Sequence, residues 1–302
     1  MENKYTKGHL AAFITILIWG TTFISTKILL VDFQPVEILF LRFIIGLFAL
    51  AVVYPKRLQS KGIKQEIVFV AAGFTGICLY YLLENIALTY TMASNVGVII
   101  SVAPFFTAVL SQVFMKKEER LKINFFIGFF VAMIGVCLIS FNSTKLELNP
   151  IGDLLAFAAA FVWAVYSLLT KKISSYGYNT IQTTRRIFVY GIMFMMPALV
   201  FLDFSIDVKK MIIPEYFLNF IFLGLGASAL CFVTWNYAVK VIGAIKTSVY
   251  IYMVPVITVV ASNIILHEKI TVMSAVGTVL ALTGLFISES KIRLRKKEQI
   301  GC

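Results

Sequence analysis

"GHLAAFITILIWGTTFISTK", residues 8–27, returns in altered form as "GDLLAFAAAFVWAVYSLLTKK", residues 152–172. Gly8 pairs with Gly152, Trp19 with Trp163 and Lys27 with Lys171, all 144 residues apart. Arg42 in "LFLRFIIG" pairs with Arg186 in "TTRRIFVYG" at the same offset. After a longer loop the offset becomes 151, joining Gly73 to Gly224, Asn85 to Asn236, Ala87 to Ala238, Pro104 to Pro255 and Thr107 to Thr258. It ends at 149, with Gly128 matching Gly277 and Gly135 matching Gly284. Offsets that change only at loops are what a duplicated set of helices leaves behind.

Composition names the solvent of those helices. Hydrophobic residues make up 60% of the 302 residues and charged residues 14%, with a mean hydropathy of +0.90. A soluble domain carries about 25% charged residues, so this chain belongs in a lipid bilayer. A window of roughly 19 residues predicts ten spans, at 9–31, 36–54, 67–88, 93–114, 123–141, 152–170, 181–202, 215–238, 244–266 and 271–289. The fold class expected is an all-α integral membrane protein. Its domains are a first five-helix repeat over 9–141, a second over 151–289, and a basic tail over 290–302.

The net charge of +12 is distributed as loop clusters, not as a nucleic-acid-binding face. With the N-terminus inside, nineteen lysines and arginines fall in segments on that side, among them "PKRLQSKGIK", "KKEERLK" and "KIRLRKKE", against four in the opposite loops. The bias predicts a cell-membrane protein with both termini cytoplasmic. The tail reads as a topology anchor ahead of a lipid-binding or regulatory segment. The first span is too long for a signal-peptide core, lacks a small-residue exit and has an internal copy, so it reads as a membrane helix.

Five spans per copy is an odd number, so the second copy starts on the opposite side of the membrane. The halves are therefore expected to be inverted repeats about a pseudo-twofold axis in the membrane plane, around a central cavity. Two such halves supply two mirror-related conformations, the requirement of alternating access.

The residues also resemble a family. Two five-helix copies, "IWGTTFISTK" opening the first, "LRF" in the second helix and "SNVGVIISVAPFFTAVLS" in the fourth look like the EamA-type branch of the drug/metabolite transporter superfamily. The resemblance covers nearly the whole chain. It implies ten helices around a central cavity and, commonly among members, export of amino acids or other small metabolites. The function expected is secondary transport of a small organic metabolite, with amino acids or related compounds first. The alternative is a membrane receptor or assembly partner that kept the fold without transport.

Candidate site residues emerge from what hydrocarbon tolerates. Trp19 and Trp163 lie mid-span, away from the interfacial belt, and with Trp235 they are the only tryptophans. Each indole N–H needs an acceptor, so each either packs between helices or lines a cavity. Tyr80, Tyr81, Tyr166, Tyr250 and Tyr252 are the aromatics that could join them. Asn85 and Asn236 must bond another helix or a substrate. Glu84 is the one carboxylate well inside a span; its counterpart is Trp235, so the repeat does not require an acid there. It is expected to face the cavity, taking a substrate ammonium or a coupling proton, against snorkelling outward or pairing with Arg42. Arg42 and Arg186 sit shallow enough to snorkel or to bond helix-end carbonyls, with a substrate-anion role as the alternative. Pro104 and Pro255 are candidate gating bends in the fourth and ninth spans. Gly128, Gly135, Gly277 and Gly284 read as close-packing scaffold.

Catalysis has no machinery in this chain. His9 and His267 lie near membrane edges, and there is no phosphate-binding loop, metal-ligand cluster or nucleophile motif. No enzyme activity, cofactor or metal is expected. Cys78, Cys137 and Cys231 read as small buried side chains and Cys302 as a free tail thiol. The partners expected are a small-molecule substrate, the lipid bilayer and a coupling proton, with no nucleic acid and the oligomeric state open.

Overall fold

The computed structural model describes residues 2–90, 93–115, 123–141, 149–201, 204–205, 207–266 and 271–289. The basic tail, His267 and the whole of the "KKEERLK" loop lie outside them. Every regular element among the described residues is helical. The first span is α1 (Glu2–Leu29), the second α2 (Pro35–Val53). The third is α3 (Ile63–Gly73), a π-helical stretch (Phe74–Leu79) and α4 (Tyr80–Tyr90). The fourth is α5 (Ala93–Ile100) and α6 (Ala103–Phe114), the fifth α7 (Ile123–Phe141).

In the second half, α8 (Pro150–Ser174) and α9 (Thr180–Phe201) are followed by the short α10 (Val208–Met211). The eighth span is α11 (Pro214–Ile221), a π-helical stretch (Phe222–Leu230) and α12 (Cys231–Ile242). The ninth is α13 (Ala244–Val249), a 3₁₀ turn (Tyr250–Tyr252) and α14 (Met253–Leu266), and the tenth is α15 (Val272–Glu289). Eight of these spans have the length and apolarity to cross a bilayer, and Ile123–Ile139 and Val272–Ser288 are shorter apolar helices. The order matches the ten spans expected.

Local chemistry sets the ends. Asn149 caps α8, its Oδ1 accepting from Ile151 N at 3.1 Å and Gly152 N at 3.3 Å. Pro150 at the first position, Asp153 in the first turn and Lys171 and Lys172 in the last suit the helix dipole. Gly243 has φ 92°, a left-handed conformation that lets α13 follow α12 with no loop between them.

The largest interfaces join one half to the other. α1 packs on α12 and α14, and its counterpart α8 packs on α4 and α6. α2 packs on the second π-helical stretch, as α9 packs on α3 and the first. α7 packs along α15. The two repeats therefore share one interior. Large apolar side chains such as Phe48, Val52, Phe130, Leu154, Val200 and Phe286 stand exposed on the outside, where lipid is their solvent.

The α7–α15 contact shows the twofold relation in detail. A Cβ on Gly128 would lie 2.5 Å from Gly284 O, and one on Gly284 would lie 2.5 Å from Gly128 O. The repeat-equivalent pair behaves alike, with 2.5 Å from Gly135 to Gly277 O and 2.6 Å in the reverse sense. Only glycine permits backbones this close. The expected close packing of these helices is present, and against each other.

Candidate functional site

Both π-helical stretches sit at repeat-equivalent places in the third and eighth spans, each just before the candidate side chains. Tyr80 N–H donates to Thr75 O, five residues back, so one extra residue enters the turn and rotates the next helical segment about its axis. Downstream lie Tyr80, Tyr81, Glu84 and Asn85 in one half, and Cys231, Phe232, Trp235 and Asn236 in the other. Gly76, inside the first stretch, leaves room for the Tyr166 ring, which an added Cβ would strike. The sequence carries a faint signal of this geometry in the glycine pairs Gly73/Gly76 and Gly224/Gly226, which hydropathy alone does not read.

These turns assemble an aromatic cluster at the centre of the molecule. Ring centroids of Trp19 and Trp163 are 5.3 Å apart, those of Trp19 and Trp235 5.1 Å, and those of Trp163 and Trp235 5.8 Å. Tyr80 and Tyr166 flank Trp163 at 4.8 and 5.1 Å, and Tyr81 joins through Tyr80 at 4.9 Å. Phe232 completes the cluster, 5.8 Å from Trp19. The sequence did not single out Phe232, because an apolar ring in an apolar span carries no distinguishing pattern.

The three indoles are bonded unequally. Trp19 Nε1 donates to Ala227 O at 3.0 Å, a carbonyl of the second π-helical stretch. Trp163 and Trp235 are 3% and 0% exposed, and neither Nε1 has an acceptor. Buried donors in native structures are almost always paired, so two orphans in one cluster are unusual.

Beside the rings lie two buried ionisable side chains. Glu84, 8% exposed, accepts a hydrogen bond from Tyr80 OH at 3.2 Å. Arg42, 6% exposed, donates from Nε to Ser228 Oγ at 2.9 Å and holds its guanidinium 4.9 Å from the Tyr81 ring centroid. Neither side chain snorkels to the membrane surface. No direct ion pair joins Glu84 to Arg42 among the described residues. Its repeat mate departs from this role: Arg186, 36% exposed, pairs through Nε with Glu66 Oε1 at 2.7 Å. The bonds to helix-end carbonyls come instead from Arg185, to Tyr54 O and Lys56 O, both at 2.6 Å.

The remaining candidates serve other contacts. Asn236 accepts from Tyr166 OH at 3.0 Å and donates to Thr184 Oγ1 at 3.0 Å, tying α8, α9 and α12 together. Asn85 Nδ2 reaches Pro35 O at 3.5 Å. Tyr252 lies outside the cluster, among Ala108, Phe125, Val249 and Leu285, with its hydroxyl unpartnered. Tyr250 OH bonds His9 Nδ1 at 2.8 Å. Pro104 and Pro255 do not bend continuous helices. Pro104 stands in the first turn of α6, just after the break at Ser101 and Val102, and Pro255 in the first turn of α14, just after the 3₁₀ turn.

Two sets of ties join the loops at opposite ends. At one end Asp32 accepts from Lys210 Nζ and Tyr216 OH, both at 2.5 Å, and Glu37 accepts from Ser205 N at 3.0 Å. The Lys210 and Tyr216 bonds hold the Asp32 carboxyl below the usual carboxylate range. At the other end Tyr178 OH donates to Gln65 Oε1 at 2.8 Å, beside the Arg186–Glu66 pair. No group of three or more metal-ligating side chains occurs among the described residues.

The sequence model of the EamA-like transporter family matches residues 6–141 and again 150–289. An uncharacterized transporter of Archaeoglobus fulgidus is 28% identical, over 95% of this chain and 98% of its own. The uncharacterized transporter YyaM of Bacillus subtilis is 29% identical, over 96% and 98%. A probable terminal-alkyne amino-acid exporter of Streptantibioticus cattleyicolor is 23% identical, over 98% and 97%. A crystal structure 18% identical in sequence superposes with a TM-score of 0.75, covering 94% of this chain and 96% of the other, which is a likeness of fold.

Proposed function

Because the chain belongs to the EamA-like transporter family, a family of multi-pass membrane transporters and not of enzymes, we propose that it exports small zwitterionic metabolites, amino acids or related compounds, by alternating access. The observation that carries this reading is the buried, separated pair Arg42 and Glu84. A charge buried in a membrane protein is costly unless matched. Arg42 and Glu84 both lie against one aromatic cluster with no ion pair between them, so each is only partly compensated. A zwitterion bridges such a gap, its carboxylate on the Arg42 guanidinium and its ammonium on Glu84. The indole N–H groups of Trp163 and Trp235 supply two more donors. The distant relative named an amino-acid exporter supports the same class.

Alternating access rests on the inverted symmetry. The ties through Asp32 and through Tyr178 serve as the two gates, and the basic-loop side is the cytoplasmic face of the cell membrane, with both termini there. Glu84 also carries the coupling proton when substrate is absent, which neutralises a buried carboxylate that then has no ammonium partner.

Purified protein in liposomes loaded with a panel of labelled amino acids is expected to release at least one of them faster than protein-free liposomes. Glu84→Gln, which keeps shape and removes charge, is expected to lose transport or its pH dependence while expression stays intact. Absence of efflux across the panel, or normal pH-dependent flux in Glu84→Gln, overturns the reading.

A further inference from the structure

Arg42 and Arg186 hold the same place in the two repeats, 144 residues apart, yet Arg42 is buried and Arg186 is partly exposed. Their surroundings, compared through the repeat, explain the difference. Ser228 in the second π-helical stretch accepts from Arg42 Nε at 2.9 Å. Its equivalent in the first stretch, 151 residues earlier, is Ile77, which offers no acceptor. Nearer the membrane surface the pattern reverses. Glu66, in the first turn of α3, accepts from Arg186 Nε at 2.7 Å, and its equivalent 151 residues later is Phe217, an exposed ring. Tyr190, whose hydroxyl also donates to Glu66, has Gly46 as its equivalent. Each arginine thus finds its Nε acceptor at a different depth, Arg42 in the core and Arg186 near a helix end. Aromatic rings do not make the choice, since each guanidinium has one nearby, Tyr81 at 4.9 Å from Arg42 and Tyr190 at 5.6 Å from Arg186.

Glycines bring the hydroxyl within reach. Gly46 lies one turn after Arg42 on α2, and Gly224 one turn before Ser228. A Cβ on Gly46 would stand 3.1 Å from Gly224 O and 3.3 Å from Ser228 Cβ, and one on Gly224 would stand 3.3 Å from Arg42 O. The two backbones therefore meet with no side chain between them. The bond also orients the guanidinium. With Nε engaged by Ser228, the two Nη groups are the fork that remains for a carboxylate.

We propose that Ser228 is a positioning residue: its hydroxyl keeps Arg42 in the core and leaves the Nη fork to the substrate carboxylate, while Glu66 draws the equivalent Arg186 toward the basic-loop end. The proposal deepens the transport reading above and rests on it for the identity of the ligand. Retention of Arg42 is measured without transport, so the two fail separately.

Purified protein is treated with phenylglyoxal, which adds to accessible arginine, and modification of Arg42 and Arg186 is followed by mass spectrometry. Ser228→Ala is expected to raise the rate at Arg42 on the order of tenfold, the effect of losing one hydrogen bond to a charged group, and to leave the rate at Arg186 unchanged. Ser228→Cys, close in size and a weaker acceptor, shifts the rate in the same direction if Ser228→Ala does not fold. In counterflow of a labelled amino acid, the unlabelled zwitterion, its carboxamide and its N-acetyl derivative are then compared as competitors. Ser228→Ala is expected to lose discrimination against the carboxamide and to keep it against the N-acetyl form, whereas a general loosening of the structure lowers both. An unchanged rate at Arg42, or loss of both discriminations together, overturns the proposal. A wild-type protein that discriminates against neither compound overturns the transport reading instead, and the labelling rates still decide whether Ser228 holds Arg42.

Discussion

Trp19 and Trp163, 144 residues apart and equivalent in the two repeats, touch each other, with ring centroids 5.3 Å apart and planes at 77°. A residue can meet its own repeat mate only beside the axis that relates the two halves. In an inverted repeat that axis lies in the membrane plane, so this pair marks the middle of the molecule and of the bilayer. On the proposed reading, substrate bound there lies between the two gates.

The two tryptophans with unpartnered N–H groups should report on substrate directly. Trp163→Phe and Trp235→Phe keep a ring and remove one donor, a loss of about 1 kcal/mol in binding or about fivefold in KM. Trp19→Phe, which breaks the bond to Ala227 O, should lower thermal stability instead. Flux assays and thermal unfolding of the three variants check this division. Equal effects of all three on KM would refute it.

The glycine contact between α7 and α15 should be intolerant of even one methyl group. Gly135→Ala and Gly284→Ala each place a carbon against partner backbone, which cannot rotate away. Overpacking of this kind costs about 1–3 kcal/mol. The drop in melting temperature in detergent should therefore exceed that of Gly97→Ala, where an added Cβ meets nothing. Equal melting temperatures would show that the helices can part freely.

Most of the architecture is legible in the sequence because hydropathy and duplication report on whole spans. Trp19, Trp163 and Trp235 are readable as site candidates, since a tryptophan mid-span has few other uses. The depth of Arg42 is not readable: five or six residues into a helix allows snorkelling, and it is the Tyr81 and Phe43 rings and the Ser228 hydroxyl that hold it inside. The division between Arg185 and Arg186 is equally invisible, because adjacent arginines differ only in the helix face they occupy. The π-helical turns depend on tertiary packing, Tyr166 against Gly76, which no local propensity encodes. Tyr252 fails to join the cluster because the 3₁₀ turn that ends at it directs the ring toward Phe125.

The break before Pro104 and the 3₁₀ turn before Pro255 should act as hinges. A proline in the first turn of a helix stabilises a start there, since its missing N–H would have no partner anyway. Pro104→Ala and Pro255→Ala remove that preference in opposite halves and should bias the carrier toward opposite-facing states. Thiol labelling from each side of oriented vesicles reads the bias. Matching accessibility in both variants and the wild type would make the prolines packing features alone.

The Asp32 tie should loosen on acidification. Its native carboxyl titrates below the ordinary value of 3.8, so its contribution is fully present above that value and is lost as pH falls through the lower native one. Hydrogen exchange across α10 should rise in the wild type in that range and should already be raised at neutral pH in Asp32→Asn. Identical exchange in the two proteins at neutral pH would show that the tie does not hold α10 in place.

The charge pair itself is tested most directly by competition in proteoliposomes. Counterflow of a transported labelled amino acid is measured against three unlabelled forms of it: the zwitterion, its carboxamide and its N-acetyl derivative. With Arg42 reading the carboxylate and Glu84 the ammonium, only the zwitterion competes strongly; Arg42→Gln loses its discrimination against the carboxamide, and Glu84→Gln against the N-acetyl form. Equal competition by all three compounds in the wild-type protein would contradict the account.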